Sequence, residues 1–145
     1  MKYNRKGRIN VVAQFGSIAS LYKDIIVEKW HCSSKYYIRM RIKPSLISNN
    51  YQIKMQLEQN NYPQIFVENP NIYDECGGRR PPHVYEFSDK VCRICLFMAG
   101  EVKLSEFYDK VVPWISEWLI HYEIWRITVQ WNGGGHVGSK KTDKS

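Results

Sequence analysis

The residues best suited to chemistry are Pro81-Pro82-His83-Val84-Tyr85, followed by Arg93-Ile94-Cys95-Leu96-Phe97. They set one cysteine inside an apolar pair, after a proline-rich loop that carries a histidine. A thiolate is a good nucleophile near neutral pH, and its thioester stays reactive toward amines. Cys95 is therefore the candidate nucleophile, with buried packing as the plain alternative, since most cysteines without a partner are core filler. His83 is a site-shaping residue or proton shuttle, or else orders its loop through a hydrogen bond. Cys92-Arg93-Ile94-Cys95 is also a C-x-x-C, the spacing of a redox pair or of half a zinc site. A structural zinc takes about four ligands, usually in two pairs. Cys32 and Cys76 stand alone, so no metal and no cofactor is expected.

Length and charge narrow the rest. The 145 residues suit one domain with its own core. Nothing approaches the ~20 apolar residues of a membrane helix, and no apolar run succeeds the basic N-terminus as in a signal peptide. The expectation is a soluble cytoplasmic protein whose four cysteines stay reduced. The net charge of +7 invites nucleic acid. Much of it lies at the ends, in Lys2 to Arg8 and in Lys140-Lys141, and nucleic acid is not the expected partner. Arg39, Arg41 and Lys43 alternate along a strand and are expected on one solvated sheet face.

Residues 1–10 read as a flexible basic arm, residues 11–131 as one domain, and residues 132–145 as a flexible Gly- and Lys-rich tail. Val11 to Lys23 is weakly helical, interrupted by Gly16. Strands are expected at Ile25 to His31, Tyr36 to Ile42, Tyr51 to Leu57 and Ile65 to Val67, the third alternating strictly. Turns at Ser33-Ser34, Ser48-Asn49-Asn50 and Asn60 to Pro63 make a β-meander. Asn69 to Lys90 reads as an irregular loop, long enough to suggest function. Ser105 or a neighbour caps a first late helix that runs through Val112. Pro113 then kinks the chain or starts a second. On that second helix Ile115, Trp118, Tyr122 and Trp125 share a face to be buried against the sheet. His121 is expected to be a partly buried structural histidine. The glycines after Trp131 cap the helix or mimic a ubiquitin-like Gly-Gly end. The fold class is α+β, a four-stranded antiparallel meander with helices packed on one face.

Tyr62-Pro63, His83 and Ile94-Cys95-Leu96, in that order, resemble the ubiquitin-conjugating-enzyme-like (UBC-like) family. It has a tyrosine-proline turn, a His-Pro-Asn element and an active cysteine in an Ile-Cys-Leu context. A bacterial branch, associated with cyclic-oligonucleotide (CBASS-type) antiphage defence, is more similar. Its features match Pro82-His83-Val84-Tyr85, Cys95-Leu96-Phe97, the stretch from Pro113 to Trp125, and Trp131-Asn132-Gly133-Gly134. Trp30 and Lys43-Pro44-Ser45 match its first strands, so the likeness covers roughly residues 25–136.

The resemblance implies an acyl carrier that holds a protein C-terminus as a thioester on Cys95 and passes it to an amine. The implied cargo is the C-terminus of a cGAS-like nucleotidyltransferase or of a ubiquitin-like protein, with an activating enzyme acting in trans. Glu123 belongs to the branch's signature without an evident role in the reaction. The chain also departs from the family. Val84 and Tyr85 stand where the eukaryotic enzymes carry asparagine, and the His83-to-Cys95 spacing is longer. The oxyanion role then falls to the backbone, His83 or Tyr85. The alternative reading is a non-catalytic module of the same fold that binds protein or nucleic acid through its aromatic and basic surface. Whether Cys92 takes part is open in both.

Overall fold

Apolar and polar residues alternate most strictly from Tyr51 to Glu58, and there the chain forms a central strand with every second residue buried. The structure is a computed structural model describing residues 10–96 and 104–131, without the side chains of Leu104 and Ser105. Strands β1 (Ile26–Cys32), β2 (Lys35–Ile42), β3 (Tyr51–Glu58) and β4 (Gln64–Asn69) form the expected antiparallel meander.

The sheet does not stop at four strands. β5 (Val84–Phe87) and β6 (Cys92–Ile94) extend it, giving six strands in the order β1-β2-β3-β4-β6-β5. They form a hairpin whose turn closes through Ser88 N–H to the Val91 carbonyl, 2.9 Å. Strands of four and three residues are too short to show a period, which is why this segment reads as irregular. The hairpin also accounts for the long spacing between His83 and Cys95.

Four helices complete the described residues: α1 (Val11–Leu21), α2 (Ile72–Glu75), α3 (Leu104–Phe107) and α4 (Val111–Thr128). Asn10 is the N-cap of α1, its side-chain oxygen accepting from the Val12 and Ala13 amides. Gly16 lies exposed within α1 and does not interrupt it. Ser105 stands inside α3 rather than before it. Pro113 is the third residue of α4, where a missing N–H breaks no helical bond. The helix ends at Val129, not at the glycines. Val129 takes a left-handed conformation, φ 66°, and its N–H bonds the Trp125 carbonyl at 2.7 Å. Residues 1–9, 97–103 and 132–145, which include the basic arm, Phe97 and the Gly/Lys tail, lie outside the described residues.

The core lies on one side of the sheet. Ile38, Met40, Ile53, Met55 and Leu57 share it with Ile18 of α1 and with Ile115, Trp118, Tyr122 and Trp125 of α4, the stripe read from helical spacing. The loop from Asn69 to Arg80 is latched to this helix. Glu75 accepts from the Tyr122 hydroxyl at 2.7 Å and pairs with Arg126 at 2.6 Å, while Arg79 lies 4.6 Å over the Trp125 ring. On the opposite face Arg39 is not a solvated cation. It is paired with Glu28 and with Glu68 (2.7 Å) and lies 4.8 Å over Trp30. Arg41 and Lys43 are exposed, as expected.

Glu123 acquires a role here. Its carboxylate accepts from Ser48 Oγ (2.8 Å) and from the hydroxyl of Tyr51 (2.7 Å), tying α4 to the β2–β3 connection. Tyr51 is fully buried, so removing the acceptor strands a buried hydroxyl. Glu123→Ala is expected to lower the unfolding free energy by ~1–3 kcal/mol in urea melts. Adding Tyr51→Phe should recover part of that loss, as a double-mutant cycle will show.

Candidate functional site

The site forms where the β5–β6 hairpin meets α4. Its pivot is the backbone of His83, held at φ 59° just before β5. That conformation is uncommon for a residue with a side chain, although histidine tolerates it better than most. The His83 carbonyl accepts two hydrogen bonds, from the Cys95 amide at 2.9 Å and from the Trp118 indole N–H at 3.0 Å. One oxygen thus ties the loop, the end of β6 and the aromatic helix together. It also occupies the Cys95 N–H, removing that group as an oxyanion donor.

Strand alternation decides what faces what. Cys92 and Ile94 are buried on the core side and Arg93 takes the other, while Cys95 follows just past the end of β6. The Tyr85 hydroxyl hydrogen-bonds Cys95. The Arg93 guanidinium lies 4.6 Å over the Tyr85 ring and pairs with Glu86 at 3.4 Å. Burial, then the hydrogen bond to Cys95 and that thiol's charge, push the Tyr85 phenol up to about 12, against a lowering pull from Arg93. Tyr85 therefore stays protonated through the physiological range and acts as a donor toward the sulfur. About half of Tyr85 is exposed, and Cys95 is half-buried, so the pair is reachable from solvent.

Beside this pair opens a cleft of about 330 Å³, lined by Asn61, Tyr62, Pro63, Gln64, Ile65, Tyr85, Arg93, Ile94, Leu96 and Phe107. The Tyr62-Pro63 turn forms one wall. Tyr62 stands edge-on to Phe107 with ring centroids 5.6 Å apart, and Pro63 is buried.

The structure thus brings together Cys95, Tyr85 and His83, the last through its backbone. The His83 ring packs on Trp131, 5.4 Å between centroids. Trp131 also touches Trp118 at 5.4 Å and His121 at 5.8 Å. His121 is partly buried, and its Nε2 lies 3.8 Å from Glu117. Two contributors escape sequence reasoning: Arg93, whose strand is too short to show a period, and the Trp118 indole, whose polar end gives no periodic signal.

The other cysteines are sorted by burial. Cys92 faces the core at 4% exposure, and desolvation, then nearby Cys76, push its thiol up to about 12, with Arg80 opposing. The Cys76 thiol is raised too, first by burial, and donates to the Arg79 carbonyl at 2.8 Å. Cys32 is exposed at the end of β1, and no disulfide joins any of the four. Cys92 is buried within β6 and Cys95 is half-buried just past its end, and the two are not bonded. Among the described residues no three His, Cys, Asp or Glu side chains gather as a metal site.

Residues 14–139 match the family model E2-CBASS, described as the type II CBASS E2 protein. The chain belongs to this family. Among curated proteins none matches it. Its place in CBASS defence and its E2-like role follow from that membership, which spans the sheet, the cleft and α4. The six-stranded α+β architecture is consistent with an E2-type fold. Among the described residues no helix of this CBASS E2 is long and apolar enough to cross a membrane.

The thiol environments set a labelling and a pH prediction. With iodoacetamide on the folded chain, Cys95 and Cys32 should be modified, and Cys92 and Cys76 protected until denaturant is added. The unfolded Cys92 thiol loses its proton near its ordinary value of 9.0, while the folded one keeps it to about 12. Between those values the folded state binds the extra proton, so stability must fall as pH rises, by at most ~1.4 kcal/mol per pH unit. Urea melts from pH 8 to 10 should show this decline, and Cys92→Ala should flatten it.

Proposed function

We propose that Cys95 carries a protein C-terminus as a thioester and passes it to an amine, within CBASS antiphage defence. The carrying observation is the hydroxyl of Tyr85, a residue that lines the cleft, hydrogen-bonded to the one half-buried cysteine. The donor is a carboxyl already activated in trans, as an acyl adenylate or a thioester. The Cys95 thiolate attacks its carbonyl carbon, a tetrahedral oxyanion forms, and the adenylate or donor thiol leaves. An amine later attacks the enzyme-bound thioester, the C–S bond breaks, and an amide remains.

Three features support this reading. The Tyr85 hydroxyl is hydrogen-bonded to the Cys95 sulfur and holds it beside the cleft-lining ring. The Cys95 amide is occupied by the His83 carbonyl, and in this reading the Tyr85 hydroxyl turns from the sulfur to the developing oxyanion as the C–S bond forms, taking the role of the family's asparagine. The cleft has an apolar floor at Ile65, Ile94 and Leu96 and side-chain amides at Asn61 and Gln64, suited to an extended chain end. The cargo suggested by family membership is a cGAS-like nucleotidyltransferase or a ubiquitin-like protein. His83 acts as a positioning residue, through its carbonyl.

The test is intact-mass spectrometry of the chain co-expressed with its genomic neighbours. Wild type should carry a reductant-labile adduct whose mass names the cargo, and Cys95→Ala should carry none. Tyr85→Phe should slow adduct formation by about 10²–10³-fold, the usual effect of removing one oxyanion donor, while urea melts stay within ~1 kcal/mol of wild type. An adduct that survives in Cys95→Ala defeats the assignment. No adduct with the donor present would return the chain to the non-catalytic binding reading.

A further inference from the structure

Tight turns between strands are usually built from glycine, proline, asparagine, aspartate and serine. The connection from β2 to β3 departs from this. Ser45-Leu46-Ile47-Ser48 is a turn closed by the Ser48 amide, which donates to the Ser45 carbonyl at 3.1 Å. Its two central residues are Leu46, 93% exposed, and Ile47, 95% exposed. A single exposed aliphatic residue needs no explanation, but two neighbours standing almost wholly in solvent do. The turn is also braced. The Ser45 and Ser48 hydroxyls lie 2.7 Å apart, and Ser48 donates to Glu123 of α4 at 2.8 Å. The core thus holds up a tip whose own side chains it does not bury.

The surroundings indicate what the tip meets. Arg41 and Lys43 lead into it, both exposed, and neither is in an ion pair among the described residues. From Lys29 to Leu57 the sequence holds no Asp or Glu. One helical turn beyond Glu123, α4 adds Ile127, 79% exposed. Side chains this exposed stand clear of the protein body. A folded partner would need a pocket shaped to receive them. A bilayer needs no matching shape, and it favours both aliphatic burial and cations at anionic headgroups. We propose that the Leu46-Ile47 tip inserts into an anionic membrane surface, with Lys43 and Arg41 against the headgroups. β3 runs from this turn to the one at Asn61 to Pro63, which lines the cleft. The tip and the cleft are therefore at opposite ends of the sheet. Membrane contact through the tip leaves the cleft open to protein partners.

Other charges at this end contribute less. Arg39 is neutralised by Glu28 and Glu68. Glu123 is engaged by Ser48 and Tyr51. Asp24 adjoins Ile25, whose carbonyl accepts the Arg41 amide at 2.9 Å, so an acidic residue accompanies Arg41. Lys43 is two residues nearer the tip and is the cation the test should remove.

The test is co-sedimentation of the full chain with vesicles of phosphatidylglycerol and phosphatidylcholine in equal parts, beside vesicles of phosphatidylcholine alone. The proposal expects binding to the anionic vesicles that weakens as salt rises. Leu46→Ser combined with Ile47→Ser should lower it at least about tenfold, and Lys43→Glu should lower it several-fold. Leu21→Ser, at an exposed position of α1, should leave it unchanged. Serine suits a turn, so urea melts of the double variant should match wild type. An environment-sensitive dye on Leu46→Cys, in a Cys32→Ser, Cys95→Ser background, should shift to the blue on anionic vesicles. That shift separates insertion from general attraction of a basic chain. Equal binding by the double variant, no binding by wild type, or a dye that does not shift overturns the proposal. A double variant that instead loses self-association, or loses adduct formation on Cys95 without vesicles, assigns the tip to a protein surface and overturns it too.

Discussion

One carbonyl oxygen organises this molecule. His83 gives its lone pairs to the Cys95 amide and to the Trp118 indole, and so joins the sheet edge, the loop and α4 at one point. Each such bond contributes only ~0.5–1.5 kcal/mol net. Their larger effect is geometric. The positive φ at His83 aims the carbonyl inward, the indole bond fixes it against a buried helix, and the amide bond sets where Cys95 stands beyond β6. The Cys95 backbone is thereby tied to the core that Trp118 belongs to.

That placement allows a small number of groups to do several jobs. Donation to the Cys95 sulfur comes from a side chain, Tyr85, which stands in β5 two residues after His83. Arg93 reinforces it from the neighbouring strand by lying over its ring. The pull of Arg93 on the phenol is outweighed by burial and by the bond to Cys95, so Tyr85 remains a donor. Desolvation sorts the cysteines in the same way. Turning Cys92 into the core lifts its thiol far above neutrality, whereas Cys95, just past β6, has a donor and solvent. Two cysteines three residues apart thus sit in different surroundings, one within β6 and buried, the other just past its end and half-buried.

Much of this is legible in the sequence. The meander strands, the stripe from Ile115 to Trp125 and the cysteine beside the cleft follow from period, turn residues and motif order. The hairpin of β5 and β6 is not legible, because strands this short carry no period and are stabilised by pairing to β4. Arg39 reads as solvated because alternation assigns a face but not the acidic residues that neighbouring strands bring to it. The end of α4 reads as the glycines because glycine is the usual left-handed cap, and here Val129 takes that conformation instead. Glu123 is a structural acceptor, a role hidden from the sequence because its partners Ser48 and Tyr51 lie more than seventy residues away along the chain.

The turn at Val129 also links fold to chemistry. A β-branched residue at φ 66° is disfavoured, and it persists because the chain beyond it gains contacts. Trp131 is half-buried among three aromatic or imidazole rings, and aromatic contacts of this kind add ~0.5–1.5 kcal/mol each beyond area burial. A helix whose only task was to back the sheet could end at Thr128 in any cap. Folding Trp131 onto the His83 ring ties the end of α4 to the loop whose carbonyl holds the Cys95 amide, so the helix cap and the candidate site share one set of contacts.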